Sequence, residues 1–489
     1  MTQKQPRIAI IGAGISGILV GIKLSERGLT DYTLYEKAET LGGTWRDNRY
    51  PGIACDVPSH LYVYSFAHNP NWSHRYAGGP EIQAHYSKVA GDYGVTPRIR
   101  CNTEIANAEW TGRDWTLTTT AGETISADIL ISAVGRLHHP SMPDIKGLDS
   151  FAGTSFHSAR WPKGLVPDGK RIGIIGTGSS ATQMVAAMGG KATKLSLFQR
   201  TAQWVIPVPN PKIEIWRKWL FRLWPAAMKT YYAKLEQEII ALTSGFLEGD
   251  TSAVQAFAQT GLDTVRDPEL RAKLTPGYKA GCKRLIMSPD FYQAIQHPQV
   301  ELVTSGIDRI VPEGVMTQDG KVHELDVLVL ATGFKVDAFM RPMTMTGENG
   351  IPLDQVWSNT PMNYRSMMIP HMPNFFMING PYSPGGSSAV PAIIEIQTAY
   401  LMKLLDRVLA GHVALTPSPE RSTELVAAMR KRAMKTIWAT GGCKSWYLDK
   451  EGVPIYNPVS LPELREQLAE PADEDFIEVP IPTNEPVAA

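Results

Sequence analysis

The sequence predicts an α/β chain of two dinucleotide-binding (Rossmann-like) domains with a helical insertion in the second. Three observations predict it. Residues 7–16, Arg-Ile-Ala-Ile-Ile-Gly-Ala-Gly-Ile-Ser, recur almost unchanged at 171–180 as Arg-Ile-Gly-Ile-Ile-Gly-Thr-Gly-Ser-Ser. In each copy a strand ends in a charged residue 24 positions past the first glycine: Glu36 after Gly12, and Arg200 after Gly176. From about Pro207 to Lys283 the apolar spacing turns helical. The expected boundaries are 1–143 with 340–489 for the first domain, 144–207 with 284–339 for the second, and 208–283 for the insertion.

In the first copy, residues 7–11 form a short apolar run, as a buried parallel strand requires. Gly12-Ala-Gly14-Ile-Ser-Gly17 then opens a helical pattern through Leu24. Gly12 permits the tight turn, Gly14 lets backbone approach a pyrophosphate, and Gly17 lets helix pack on strand. The phosphates would lie at a positive helix N-terminus. The carboxylate of Glu36 accepts hydrogen bonds from ribose hydroxyls and repels a 2′-phosphate, so this site suits an adenosine such as that of FAD. In the second copy Ala181 stands at the third glycine position, a tolerated variant, and Arg200 ends the strand that follows. A guanidinium grips a 2′-phosphate with two parallel hydrogen bonds, so the second site reads as one for NADPH.

Between the copies and after them the chain reads in order. Arg49-Tyr-Pro-Gly-Ile-Ala-Cys-Asp56-Val-Pro-Ser59 is an ordered loop at a sheet edge, where Asp56 is either a turn carboxylate or a functional one. Residues 104–134 alternate like an antiparallel meander and end in a strand that returns to the sheet. Phe151–Pro162 is the joint between the two nucleotide sites. In the insertion, Trp216–Trp224 and Tyr231–Ile240 carry aromatic and basic residues at helical spacing. A membrane-surface helix would look like this, but core or tunnel wall is the preferred reading. Val300–Val303 and 326–330 complete the second sheet, and Ala331-Thr-Gly-Phe334 turns back toward the first domain. Pro373–Pro381 holds a strand, Ser383–Ser388 a pocket-shaping glycine loop, and a helix with Glu395 and Gln397 follows. Beyond about Pro471 the acidic, proline-rich chain is expected to wrap loosely.

The 489 residues, 43% of them hydrophobic, carry 48 basic and 48 acidic side chains, a balance that argues against a nucleic-acid-binding protein. Cys55, Cys101, Cys282 and Cys443 form no CxxC pair, so neither a disulfide framework nor a redox dithiol is expected. The start runs straight into a strand, and no apolar run approaches the ~18 residues of a membrane span. A cytoplasmic protein with no stable membrane insertion, no bound metal and small-molecule partners is the expectation.

Two such sites in one chain imply hydride transfer from nicotinamide to flavin. The reduced flavin then serves a reductase, or an oxygenase with positive charge near the flavin and a dry pocket. The residues of the joint resemble one family. Phe151, Gly153, His157, Trp161 and Pro162 are similar to the FxGxxxHxxxW fingerprint of type I Baeyer–Villiger monooxygenases. GGTW (42–45), RYPG (49–52), GCKR (281–284), ATGF (331–334) and SWY (445–447) follow in that family's order. The related flavin-containing monooxygenases typically carry Tyr in place of Trp161.

The resemblance implies FAD on Gly12, Gly14, Gly17 and Glu36, with Thr44 and Trp45 beside its ring. It implies NADPH on Gly176, Gly178, Ser179, Ser180 and Gln183, with Arg200, Thr201 and Lys283 at the 2′-phosphate. Arg284 corresponds to the family's active-site arginine, Asp56 to its carboxylate partner, and Trp446 to a tryptophan that closes over the nicotinamide. His157 is either a hinge or a cofactor contact. The implied reaction uses O2, through a flavin C4a-peroxide, to convert a ketone to an ester or lactone, with sulfide oxidation as a side activity. The alternative is oxygenation mainly of sulfur or nitrogen.

Overall fold

In the computed structural model, which describes residues 5–358, 360–386 and 388–481, both copies of the repeat become the centre of a parallel sheet. The strands are β1 (Ile8–Ile11), β2 (Tyr32–Tyr35), β3 (Ile99–Arg100), β4 (Ile129–Ser132), β5 (Thr154–His157), β6 (Arg171–Ile175), β7 (Lys194–Phe198), β8 (Val300–Val303), β9 (Val327–Leu330) and β10 (Phe375–Met377). The first sheet runs β10-β4-β1-β2-β3 and the second β8-β7-β6-β9-β5. β1 lies between β2 and β4, with Ile8 opposite Tyr32 and Ile129. β6 lies in the same way between β7 and β9, with Ile172 opposite Leu195 and Val327. Central strands are covered on both faces, which is why Ile10, Ile131, Ile174 and Val329 are fully buried.

Each glycine turn has one steric cause. Gly12 has φ +103°, and a Cβ there would stand 2.7 Å from the carbonyl oxygen of Ala133. Gly176 has φ +117°, and its Cβ would stand 2.3 Å from the carbonyl oxygen of Ala331. Both first glycines are thus pressed on the end of a neighbouring strand, in a backbone conformation that side chains avoid. Helices α1 (Ile15–Glu26) and α2 (Ser179–Met188) follow, with Gly14 and Gly178 as N-caps. Neither N-terminus receives a side-chain cap, so both present free N–H groups.

The joint is not a free linker. Its middle, β5, is the edge strand of the second sheet, paired in parallel with β9. Gly153 precedes it because a Cβ would meet the carbonyl oxygen of Asp326 at 2.6 Å and the Phe151 ring at 2.7 Å.

The insertion is helical: α3 (Ile215–Leu223), α4 (Pro225–Glu248), α5 (Ser252–Leu262) and α6 (Pro268–Leu274). The short strands Val205–Ile206 and Ile286–Met287 pair at its base and close it. The tunnel-wall reading holds for the last turns of α4, where Ile239, Leu242 and Phe246 face the cavity described below. It fails for α3. Trp216 and Trp219 stay more than half exposed, because Phe221, on the opposite side, is the residue of α3 that is buried against the body.

The tail differs from expectation too. Phe476–Pro480 is a strand, antiparallel to Val413–Pro417. It is held by Asp475, a buried carboxylate that accepts hydrogen bonds from Tyr364 (2.6 Å) and Arg421 (2.9 Å). Residues 482–489 of that tail lie outside the described residues, as does Ser387 of the glycine loop.

Candidate functional site

A cavity of about 750 Å³ runs between the two sheets. Its wall brings together most of the predicted residues: Gly12, Gly14, Glu36, Thr44, Trp45 and Asp56 from the first domain, Gly178, Ser179, Ser180, Gln183 and Arg284 from the second, Lys283 from the end of the insertion, and Trp446 from the C-terminal region. Gly17, Gly176, Arg200 and Thr201 stand outside the wall, and so do Phe151, Gly153, His157, Trp161 and Pro162.

Glu36 is 5% exposed. Its carboxylate accepts from the backbone N–H groups of Ala13 and Ala38, both at 3.0 Å, and pairs with Arg46 at 3.0 Å. Burial opposes the Arg46 charge, but Glu36 and Asp47 outweigh it and raise its pKa. This fixes one negative charge at the end of β2, beside an uncapped helix start.

Asp56 and Arg284, 228 residues apart in sequence, meet in the cavity. Arg284 donates from Nε at 3.1 Å and from Nη2 at 2.5 Å to the same Asp56 oxygen. The Asp56 charge raises the arginine's pKa far above its ordinary value, against a smaller opposing effect of burial. Because Arg284 opens onto the cavity, its side chain keeps 44% exposure, whereas Asp56 keeps 24%. A permanent cation therefore faces the space between the two glycine turns.

Lys283 and Arg200 form a second positive region. Burial, followed by the Arg200 charge, lowers the Lys283 pKa. Among the described residues no acid pairs with either. The Lys283 ammonium instead lies 4.9 Å from the Tyr278 ring centre.

Gln183 serves a contact between domains. Tyr50 donates to its Oε1 at 2.9 Å, and its Nε2 donates to the Ala54 carbonyl at 3.0 Å. Ser180 donates to Tyr50 at 3.1 Å. Gly52 completes the seam: a Cβ there would stand 2.5 Å from the Gln183 carbonyl oxygen. Tyr50, whose pKa burial pushes up to about 12, was quoted within RYPG but not assigned, since its partners are 130 and 133 residues away. Arg136 was missed altogether. It is 8% exposed and lines the cavity, and its Nε and Nη1 have no hydrogen-bond partner among the described residues. Cation–π contacts with Tyr456, at 4.6 Å, and with Phe339, at 5.4 Å, hold it.

The His157 ring is occupied by backbone: Nε2 bonds the Gly333 carbonyl at 2.9 Å, and Nδ1 accepts from Ala159 N–H at 3.2 Å. Trp161 packs edge-on against Phe156 and donates to the Leu165 carbonyl. The fingerprint thus ties β5 to the 331–334 turn.

The expectation of no disulfide is wrong. Cys282 and Cys443 are bonded, 161 residues apart. Spacing rules look for close pairs, and folding makes this one. Neither sulfur lines the cavity, but the bond joins the residue before Lys283 to the segment that carries Trp446. Cys443→Ser is expected to lower stability by about 2–4 kcal/mol. Denaturant titration of both proteins, with and without reductant, checks this. Equal midpoints for the variant and the untreated wild type would show that the link contributes nothing.

The comparisons agree with this geometry. The pyridine nucleotide-disulphide oxidoreductase family matches residues 9–245. An uncharacterised monooxygenase of Mycobacterium bovis is 44% identical, over 97% of both chains. A Baeyer–Villiger monooxygenase of Streptomyces coelicolor is 38% identical over 91% of this chain and 87% of its own. The fold matches cyclohexanone monooxygenase from Rhodococcus sp. Phi1, bound to NADP+, with TM-score 0.86 and 28% identity, covering 98% of this chain and 100% of that one. The chain therefore belongs to the Baeyer–Villiger monooxygenase family and is an NADPH-dependent FAD monooxygenase.

Proposed function

We propose that this enzyme inserts one atom of O2 beside a ketone carbonyl, giving an ester or lactone. The observation that carries the reading is the Asp56–Arg284 pair, a permanent cation set in the cavity between the two glycine turns. When bound, FAD reduced by NADPH would supply the electrons that activate O2 for insertion.

The residues fit both cofactors. Gly12, Gly14, Gly17 and the uncapped start of α1 suit a pyrophosphate, and the Glu36 charge suits an adenosine without a 2′-phosphate. Thr44 and Trp45 supply the wall beside the flavin ring. Gly176, Gly178, Ser179 and Ser180 repeat the arrangement on α2, while Arg200 and Lys283, unpaired with acids among the described residues, suit a 2′-phosphate with Thr201 beside it. The unbonded guanidinium nitrogens of Arg136 suit a further anionic or carbonyl group in the same cavity.

Arg284 stabilises negative charge developing on oxygen in the reaction, and it does so at any working pH because a guanidinium keeps its proton. Asp56 orients it through two hydrogen bonds to one carboxylate oxygen. Gln183 and Tyr50 fix the spacing of the two domains, and Trp446 closes the nicotinamide side from its disulfide-held segment. His157 acts as the hinge, since both its ring nitrogens are committed to backbone.

The test is product analysis with NADPH and O2 over a panel of cyclic, linear and aromatic ketones beside alkyl and aryl sulfides. An ester or lactone from at least one ketone is the expected result. Sulfoxides alone, from FAD-replete enzyme, would overturn the ketone reading in favour of heteroatom oxygenation.

A further inference from the structure

We propose that helix α3 is a docking site for an anionic lipid surface, on which it lies parallel to the membrane plane. Ile215, Trp219 and Leu223 stand four residues apart and Trp216 stands beside them, so all four fall on one side of the helix. They are 75, 53, 80 and 56% exposed. Phe221, on the opposite side, is 4% exposed and packs between His60 and Tyr231. The helix is therefore turned the wrong way for a globular protein, with its apolar face outward. The arrangement is a fixed one: Lys218 donates to the Asn71 carbonyl at 3.2 Å, and Arg222 donates to the Asn71 side chain at 2.9 Å.

Charge selects the occupant. The chain as a whole is neutral, yet residues 212–234 carry six basic side chains and one acidic one. Arg217 and Arg222 flank the apolar face from either side, each with its guanidinium over a neighbouring tryptophan, Trp216 and Trp219 respectively. Long cationic side chains at the rim of a tryptophan-rich face place apolar rings at headgroup depth while their charges stay with lipid phosphates. A second copy of the chain fits less well. A twofold contact would set this convex face against itself and bring the two basic rims together. No helix among the described residues is long and apolar enough to cross a membrane, so the contact is peripheral.

α3 leads through Pro225 directly into α4, whose last turns wall the cavity. Docking would thus hold the insertion, which forms part of the cavity wall, next to a reservoir of apolar molecules. The lipid proposal stands whether or not the oxygenated substrate is a ketone.

The experiment is flotation of the full-length FAD-loaded enzyme with vesicles of phosphatidylcholine alone or of phosphatidylcholine with phosphatidylglycerol. At low salt, at least tenfold more enzyme is expected on the anionic vesicles, with most of the excess released by high salt. The triple variant Trp216→Ser, Trp219→Ser, Leu223→Ser should lose that binding and keep its FAD content and its NADPH oxidation in buffer. In wild-type enzyme alone, brominated acyl chains in anionic vesicles should quench tryptophan emission. Absence of anionic-vesicle binding, equal binding by the triple variant, or a wild-type dimer that the variant dissociates would each overturn the proposal.

Discussion

Arg284→Ala is expected to lower ester formation by at least about 10²- to 10³-fold, the cost of removing one charge-stabilising donor in an active site, while NADPH still reduces the flavin. The argument starts from position. Arg284 faces the cavity that the two glycine turns share, and Asp56 holds its charge in place through Nε and Nη2. Deleting the guanidinium does more than remove a donor. It leaves the Asp56 carboxylate facing the same space without its counter-charge, and that repels the negative oxygen the arginine would have stabilised. The loss should therefore fall at the upper end of the range or beyond it. Arg284→Lys restores the charge but not the two-pronged grip on Asp56, so it should recover only part of the rate. Anaerobic flavin bleaching by NADPH separates this effect from a binding defect, and product analysis under air reads the loss. Ester formation within a few-fold of wild type in Arg284→Ala would remove Arg284 from the reaction.

Local rules made much of this site legible. The turns at Gly12 and Gly176 follow from a backbone that must pass a neighbouring strand at contact distance, and sequence carries that constraint as glycine. The matching offset of Glu36 and Arg200 spans one helix and one strand in each copy, α1 with β2 and α2 with β7. Other features depend on contacts that no local pattern carries. The Tyr50–Gln183–Ser180 seam and the Cys282–Cys443 bond join residues about 130 and 161 positions apart. Arg136 follows an ordinary strand-glycine sequence, and only the fold reveals that two of its nitrogens lack partners. Helix α3 misled for another reason. Periodicity tells which residues share a face but not which way that face turns; Phe221, seated between His60 and Tyr231, and the Lys218 and Arg222 bonds to Asn71 set the direction.

Arg200→Ala is expected to raise the KM for NADPH by roughly 10- to 100-fold and to leave that for NADH nearly unchanged, from the ~1.5–3 kcal/mol of a hydrogen bond to a charged group. The two cations of this region set the expectation. Burial and the nearby Arg200 charge both work against the protonated form of Lys283, and among the described residues no acid relieves either cation. Two like charges held together without a partner weaken a protein slightly unless an anion joins them, and a 2′-phosphate carries the charge and the acceptors to do so. Removing Arg200 thus has two opposite effects. It takes away one arm of the phosphate grip, and it lets Lys283 hold its proton more firmly, so the remaining arm offsets a little of the loss. Because NADH lacks the phosphate, only the second, minor effect reaches it. Steady-state kinetics with both nucleotides, at constant ionic strength so that screening is equal, read the ratio directly. An unchanged preference would assign Arg200 to the solvent and leave phosphate selection to Lys283.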